Sequence, residues 1–246
     1  MPDKEKNRID GETKLQRKAR KRLERYQKQQ EKLRKHLEKS IKFDDGTPST
    51  KTNIAFVLGN GTSRKDIPLE PLKQYGLVYA CNAVYRVFRP DHLIAVDTKM
   101  VREITDTRYN YDNMVWTNPN RYTRGLESVN LMSPNLGWSS GPTALMLATQ
   151  HSHEEIYILG FDYKGLENGT KVNNIFAGTP NYKQKEDRAT YYGNWSRQTN
   201  TCIKKNSTVR YIRVIEDKSS FIPDNLLGLD NLTHITVEDF RKKFSL

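Results

Sequence analysis

The chain has 246 residues, 41 of them Lys or Arg and 29 Asp or Glu, for a formal net charge of +12. That length suits one α/β domain with an appendage, or two small domains. Only 35% of the residues are hydrophobic, and no apolar run approaches the ~18 residues of a membrane span. The opening MPDKEKNRID has no apolar h-region, so a cytoplasmic, reducing setting is expected. Two cysteines, Cys81 and Cys202, make neither a disulfide scaffold nor a metal-ligand spacing. In that setting the Asn-x-Ser/Thr triplets at Asn60, Asn168, Asn194, Asn206 and Asn231 are chance matches.

The charge is uneven. Residues 1–46 hold 16 Lys and Arg against 9 Asp and Glu, a net of +7, and only 10 apolar residues. This is a basic arm with little capacity to form a core. From Glu12 to Lys42 it has no Pro or Gly and is rich in Lys, Arg, Glu, Gln and Leu, which favours helix. Leu23, Tyr26, Gln30, Leu33 and Leu37 recur at 3,4,3,4 spacing, a heptad seam. Residues 12–42 therefore suit a coiled coil with a second copy or another docking partner. The cluster Arg17, Lys18, Arg20, Lys21, Arg22 and Arg25 also suits nucleic acid or an anionic surface. No aromatic residues interleave it to stack on bases, and charge runs are most often solvated helix faces. DDGTPSTKT (44–52) reads as a linker, placing the arm at 1–46, the linker at 47–53 and a second domain at 54–246.

In that domain IAFVLG (54–59), LVYAC (77–81), HLIAV (92–96), EIYILG (155–160) and VRYIRVI (209–215) are apolar runs of buried-strand type, with HITV (234–237) a short sixth. GPTALMLATQ (141–150) predicts a helix with Pro142 in its first turn. Strands separated by helical connections predict an α/β fold with an open, mostly parallel, Rossmann-like sheet. Such sheets bind ligands at the carboxyl ends of their strands.

Those ends carry polar residues. GNGTSRKD (59–66) follows the first strand. Gly59 and Gly61 permit a tight turn, and Asn60, Thr62 and Ser63 offer donors, so phosphate can be cradled there. A plain strand-to-helix turn accounts for the same residues. Asn82 ends the second strand, and Asp97 the third, as a ribose ligand, metal ligand, base or simple helix N-cap. Ser139, Ser140 and Gly141 open the central helix, whose free N–H groups suit an anion. Asp162, Tyr163 and Lys164 follow the fourth strand. Gly178, Pro180, four aromatic rings from Tyr182 onward and many charges in 173–195 suggest a mobile lid, or else a surface loop packed on the sheet edge. The histidines (His36, His92, His151, His153 and His234) are scattered, with His151 and His153 expected at the far end of the sheet from the strand-end residues.

Three segments together resemble the bacterial family 42 sialyltransferases. GNGTSRKDIPLEPLKQYGLVYACNAVYR (59–86) is similar to their opening strand, Gly-Asn-Gly-x-Ser turn and Cys-Asn strand end. WSSGPTALMLATQHSHEEIYILGFDYKG (138–165) is similar to their Ser-Gly helix and Gly-x-Asp strand, and YYGNWSRQT (191–199) to the segment carrying their catalytic histidine. RPDHLIAVD (89–97) and ILGFD (158–162) also resemble the motility-accessory and 6-hydroxymethylpterin diphosphokinase-like group.

The resemblance implies a sialyltransferase-like glycosyltransferase with a nucleotide-activated, CMP-type sugar as donor and a glycan or other hydroxyl-bearing acceptor, and no metal or other cofactor. Gly59, Asn60 and Gly61, with Thr62 and Ser63, would meet the donor's phosphate or ribose. Asn82 would hold the sugar or phosphate region, and Ser139, Ser140 and Gly141 the cytidine or the donor carboxylate. Asp162 and Tyr163 complete the expected donor site, and Tyr192 matches a tyrosine that steadies the departing phosphate. A second such tyrosine of the family is replaced around Lys164, whose cation would still neutralise phosphate. Trp195, or Asn194 with a one-residue gap, stands where the family has its histidine, and neither serves as a base near neutral pH. Asp97, where the sialyltransferases have Asn, is then the first candidate base and Asp187 the second, each acting through a buried carboxyl. Under the diphosphokinase-like alternative Asp97 holds Mg²⁺ and the donor is a nucleoside triphosphate. A third alternative is a non-catalytic nucleotide-binding protein docked through the arm.

Overall fold

The computed structural model describes residues 12–47, 51 and 53–246. Residues 1–11 of the arm, and 48–50 and 52 of the expected linker, lie outside the described residues. The chain forms two units, Met1–Ile41 and Lys42–Leu246.

In the first unit the helix α1 spans Lys14–Glu38. Its interior contains no Gly, Pro or β-branched residue, which is why it runs unbroken for 25 residues. Thr13 starts it with a capping box. The Gln16 N–H donates to Thr13 Oγ1 at 3.2 Å, and the Thr13 N–H donates to Gln16 Oε1 at 2.8 Å. Pairs four residues apart, Arg20–Glu24, Glu31–Lys35 and Arg34–Glu38, add modest support. None of its residues is buried.

The second unit is α/β with one open sheet of eight strands, all parallel. The strands are β1 Ile54–Leu58, β2 Gly76–Cys81, β3 His92–Ile94, β4 Val115–Thr117, β5 Asn130–Leu131, β6 Glu155–Leu159, β7 Arg210–Ile215 and β8 Leu232–Thr236. The helices are α2 Thr98–Asp106, α3 Tyr109–Asp112, α4 Ser140–Gln150, α5 Leu166–Gly169, α6 Gly193–Lys205 and α7 Val237–Lys243. The sheet order is β5-β4-β3-β2-β1-β6-β7-β8. The five apolar runs predict β1, β2, β3, β6 and β7, and the sixth strand starts two residues earlier than HITV. The edge strand β5 and its neighbour β4 are additions.

Alternation along the central strands explains the layering. Phe56, Leu58, Val78, Tyr157 and Val214 pack on one face with Val101 and Ile104 of α2 and Phe240 of α7. Ala55, Val57, Tyr79, Ile156 and Tyr211 pack on the other with Leu145 and Ala148 of α4 and Cys202 and Ile203 of α6. A sheet covered on both faces buries its strands completely, which is why β1 is apolar throughout and β6 is apolar after Glu155.

The unit boundary at 41/42 precedes the expected 46/47. Residues 42–44 are pinned to β8: His234 N–H donates to the Lys42 carbonyl at 2.8 Å, and Asp44 N–H to the His234 carbonyl at 2.7 Å. The Asp44 carboxylate also pairs with Arg210 at 2.8 Å and with buried Lys243 at 3.1 Å. Paired polar groups and an ion pair cannot be exchanged for linker freedom without cost, so this stretch belongs to the α/β unit. Among the described residues no helix is long and apolar enough to cross a membrane.

Candidate functional site

The chain adds strands β1 to β5 in one direction, then returns to place β6 beside β1. The reversal lies between β1 and β6, where open parallel sheets leave a crevice at the carboxyl ends of the strands. The turns at Gly59–Gly61 and Gly160–Asp162 meet there. A side chain at Gly59 would press into the Gly160 carbonyl, and one at Gly61 into the Asp162 carboxylate, so both positions need glycine.

The Gly-rich turn is closed by the protein's own acceptors. Gly61 N–H donates to the Gly160 carbonyl at 2.9 Å, Thr62 N–H to Asn173 Oδ1 at 2.8 Å and Ser63 N–H to Asp162 Oδ2 at 3.1 Å. The hydroxyls follow: Thr62 Oγ1 donates to Asn173 at 2.8 Å and Ser63 Oγ to Asp162 Oδ1 at 2.5 Å. The Asp162 carboxylate thus occupies the place expected for a ligand phosphate. Tyr163 lies in the core, its phenol donating to Thr199 Oγ1 at 2.7 Å, and burial holds its pKa above the usual range. Lys164 is exposed, and its carbonyl accepts from Asn173 Nδ2 at 2.9 Å.

Two buried arginines lie beneath the turn. Arg64 donates from Nε to the Gly59 carbonyl and from Nη2 to Asn60 Oδ1 at 3.3 Å. Burial lowers its pKa to about 10, still protonated at neutral pH. Arg213, on β7, donates to the carbonyls of Phe161 at 2.9 Å, Phe221 at 3.1 Å and Asp162 at 3.3 Å. Its guanidinium sits 5.1 Å from the Tyr163 ring centre. Among the described residues neither arginine has a carboxylate within ion-pair distance. Both buried cations lie beneath the turn with only the Asp162 carboxylate close by.

The open donors are at α4. Ser140 Oγ donates to Asn82 Oδ1 at 2.8 Å and accepts the Val96 N–H at 3.1 Å, tying the ends of β2 and β3 to the helix. Asn82 holds a left-handed conformation, φ 56°, to make that contact. Among the described residues the N–H groups of Ser140 and Gly141, the Ser139 hydroxyl and Asn82 Nδ2 have no hydrogen-bond partner. They are the unfilled donors of a helix N-terminus, where an anion is stabilised. Ser139 occupies the N-cap without using its side chain, and its own N–H donates to Gln198 Oε1 of α6 at 3.1 Å. That bond carries the start of α6 to the start of α4. Asn194 and Trp195 lie four and three residues before Gln198, on neighbouring faces of the same helix.

Asp97 directly follows the Val96 N–H that Ser140 accepts. It is the N-cap residue of α2, but its carboxylate makes no capping bond and is exposed, so the burial expected of a base is missing. Asp187 is also exposed and is spent on its own turn, accepting the Gln184 N–H at 2.8 Å. No hydrogen bond joins it to the strand-end residues. Tyr192 packs against Tyr191 at 5.6 Å and Phe221 at 5.3 Å, its hydroxyl making no bond among the described residues. No three His, Cys, Asp or Glu side chains group to hold a metal among the described residues. Mg²⁺ at Asp97 would therefore depend on substrate phosphates for its other ligands.

The first half of the expected lid lies on the turn. Ile175 N–H donates to the Asn60 carbonyl at 2.8 Å, and Phe176 and Ala177 are buried. The Tyr182 oxygen accepts from Asn60 Nδ2 at 3.1 Å and from the Ala83 N–H at 3.3 Å, and burial keeps that phenol protonated. Arg86 and Glu103 clasp the segment. Arg86 donates to Thr179 Oγ1 at 2.8 Å and the Pro180 carbonyl at 3.0 Å, and Glu103 accepts from Asn181 at 2.6 Å. Arg86 and Glu103 pair with each other at 2.6 Å.

Three of the scattered histidines converge, at the end of the sheet away from the crevice. The Tyr79 hydroxyl lies 2.6 Å from His151 Nδ1 and 2.9 Å from His153 Nε2, and His92 stacks on the Tyr79 ring at 4.7 Å. Asn53 donates to the Ser152 carbonyl, which fixes its Oδ1 as acceptor for His153 Nδ1–H at 2.7 Å. Neutral His153 then accepts from Tyr79, and His151 donates to it. Burial lowers the pKa of all three, His92 to about 4.

The fold and crevice define a doubly wound α/β protein with an anion-receptive α4 terminus at its switch point. No family model, curated protein or solved structure matches the chain.

Proposed function

We propose that the protein is a sialyltransferase-like glycosyltransferase of the cytoplasm. It binds a CMP-type nucleotide sugar in the β1/β6 crevice and transfers the sugar to a hydroxyl-bearing acceptor such as a glycan. The observation that carries this reading is the set of unfilled donors at Asn82, Ser139, Ser140 and Gly141, beside the two buried arginines. The donor's anionic group sits on those N–H groups rather than in the Gly-rich turn, whose N–H groups are taken. In the transfer the acceptor oxygen forms a bond to the anomeric carbon. The bond from that carbon to the phosphate oxygen breaks, and CMP leaves with the electron pair. The helix terminus and the Tyr192 phenol meet the charge developing on the phosphate. The acceptor proton passes to solvent through Asp97, the exposed carboxylate next in chain to the Val96–Ser140 bond.

Thermal shift of the full chain with CMP, UDP and ATP, each with and without Mg²⁺, tests the reading. Stabilisation by CMP without metal, reduced in Asn82→Ala, is the expected result. Stabilisation only by ATP with Mg²⁺ would replace it with the diphosphokinase-like reaction. CMP binding without turnover of any CMP-sugar would leave a non-catalytic nucleotide binder, consistent with Asn194 and Trp195 in place of a histidine. No shift with any nucleotide would overturn the site itself. Asp97→Asn should cut turnover ~100-fold without weakening CMP binding, and unchanged turnover removes Asp97 from the mechanism.

A further inference from the structure

Helix α1 is about 37 Å long by its rise per residue, and its apolar residues face solvent: Leu15, Leu23, Tyr26 and Leu33 are each at least half exposed. Leu15, Ala19, Leu23 and Tyr26 line a shallow groove with Lys18 and Arg22. The seam extends toward the amino end from the five residues seen in the sequence. Gln16, Leu23, Gln30 and Leu37 occupy one heptad line (a), and Ala19, Tyr26 and Leu33 the other (d). Gln16 and Gln30 are polar residues in the a line, which fix register in coiled coils.

Charge then says what covers the seam. Within Lys14–Glu38 there are eleven Lys and Arg and three Glu. The three Glu (Glu24, Glu31 and Glu38) all stand one residue after an a position, on the b line turned away from the seam. The lines flanking the seam are Arg20, Gln27 and Arg34 on one side (e) and Leu15, Arg22, Gln29 and His36 on the other (g). No acidic residue flanks it. A second copy of this helix, in either orientation, would set arginine against arginine or glutamine, with no opposite charge across the interface. An anionic bilayer would have to take in two glutamines along the apolar stripe, against the usual make-up of interfacial helices.

We infer that α1 is one half of a heterotypic coiled coil, whose partner is a helix with an apolar a/d seam flanked by Glu or Asp. Leucines of the partner cover Leu23, Tyr26, Leu33 and Leu37, and its acidic flanks meet Arg20, Arg22 and Arg34. Arg20 already pairs with Glu12 and Glu24, and Arg34 with Glu38, so partner carboxylates extend existing charge networks. This inference concerns α1 alone and stands or falls independently of the crevice.

The probe is a labelled synthetic helix of about four heptads, with Leu at a and d, Asn opposite Gln16 and Gln30, and Glu at e and g. Fluorescence anisotropy with the full chain should show saturable binding, about tenfold or more weaker when the peptide's Glu are replaced by Lys. Leu23→Asp and Leu33→Asp should each weaken binding by a similar factor while leaving the far-ultraviolet helix signal unchanged, because neither side chain is buried. Equal binding of a scrambled peptide of the same composition would overturn the inference. So would tighter binding to phosphatidylserine vesicles or duplex DNA than to the Glu peptide, or self-association in sedimentation velocity that Leu23→Asp abolishes.

Discussion

Ser140→Ala removes one oxygen that serves two neighbours. Its hydroxyl donates to Asn82 Oδ1 at 2.8 Å and accepts the Val96 N–H at 3.1 Å, in a residue only 3% exposed. Each bond contributes about 1 kcal/mol, and leaving the partly buried Val96 N–H without an acceptor brings the expected loss to ~2–3 kcal/mol. Removal of one oxygen leaves no cavity worth counting beside that. Asn82 also loses the contact that holds its side chain at the mouth of the crevice, so CMP affinity should fall about tenfold, or ~1.4 kcal/mol. Ser139→Ala is the matched control. Its hydroxyl has no partner among the described residues, so stability should change by less than ~0.5 kcal/mol while CMP binding still weakens. Urea unfolding followed by circular dichroism gives the first quantity and isothermal titration calorimetry the second. The reasoning is refuted if Ser140→Ala unfolds at the urea concentration of the parent, or if Ser139→Ala destabilises equally.

Two further perturbations test other parts. Burial, aided by Arg213, lowers His234 from 6.5 to about 3, so the unfolded chain takes up this proton first as pH falls. Its contribution to stability is intact above pH ~6.5 and is lost on descent toward pH ~3, with ~2 kcal/mol gone by pH 5. His234→Phe keeps a ring against Phe43 and removes the titration. The difference in unfolding free energy between pH 7 and pH 5 should shrink by about that amount, and an unchanged difference would show that His234 does not titrate as described. Glu103→Gln breaks the clasp on Thr179–Asn181. Limited trypsinolysis should then cut faster after Lys183, Lys185 and Arg188, with the rest of the unit still resistant. Equal cleavage rates would mean that Arg86 alone holds the segment.

The central strands were legible in the sequence because a sheet buried on both faces is filled mostly by apolar side chains, with Glu155 and Arg213 as buried exceptions. β4 and β5 were not, since strands of three and two residues leave no periodicity to detect. The donors at Ser139, Ser140 and Gly141 were legible from local chemistry, a helix start with Pro142 in its first turn. The closure of the Gly-rich turn was invisible, because its acceptors, Asp162 and Asn173, come from about a hundred residues away. Gln198, Tyr182, Arg64 and Arg213 were missed for the same reason: each is an ordinary polar residue until the fold gives it a neighbour. The histidines looked scattered because Tyr79, which gathers them, lies mid-strand on β2, while they enter from β3 and the turn before β6. Asp187 stood as the second candidate base, and the turn in which its carboxylate accepts the Gln184 N–H is not visible in the sequence.

The two borders of the sheet end differently. β5 has only two residues and offers a newcomer almost nothing to pair with. β8 is a full strand of five residues, and its outer side is covered by the bridge between Phe43 and His234, held by the bonds of Lys42 and Asp44. Exposed strand borders recruit other chains and seed aggregation. The short stretch 42–44 is therefore a guard on solubility as well as a join. Trimming the chain at residue 46, where composition changes, would uncover β8 and yield an aggregating fragment. Trimming at residue 41 would leave the guard in place.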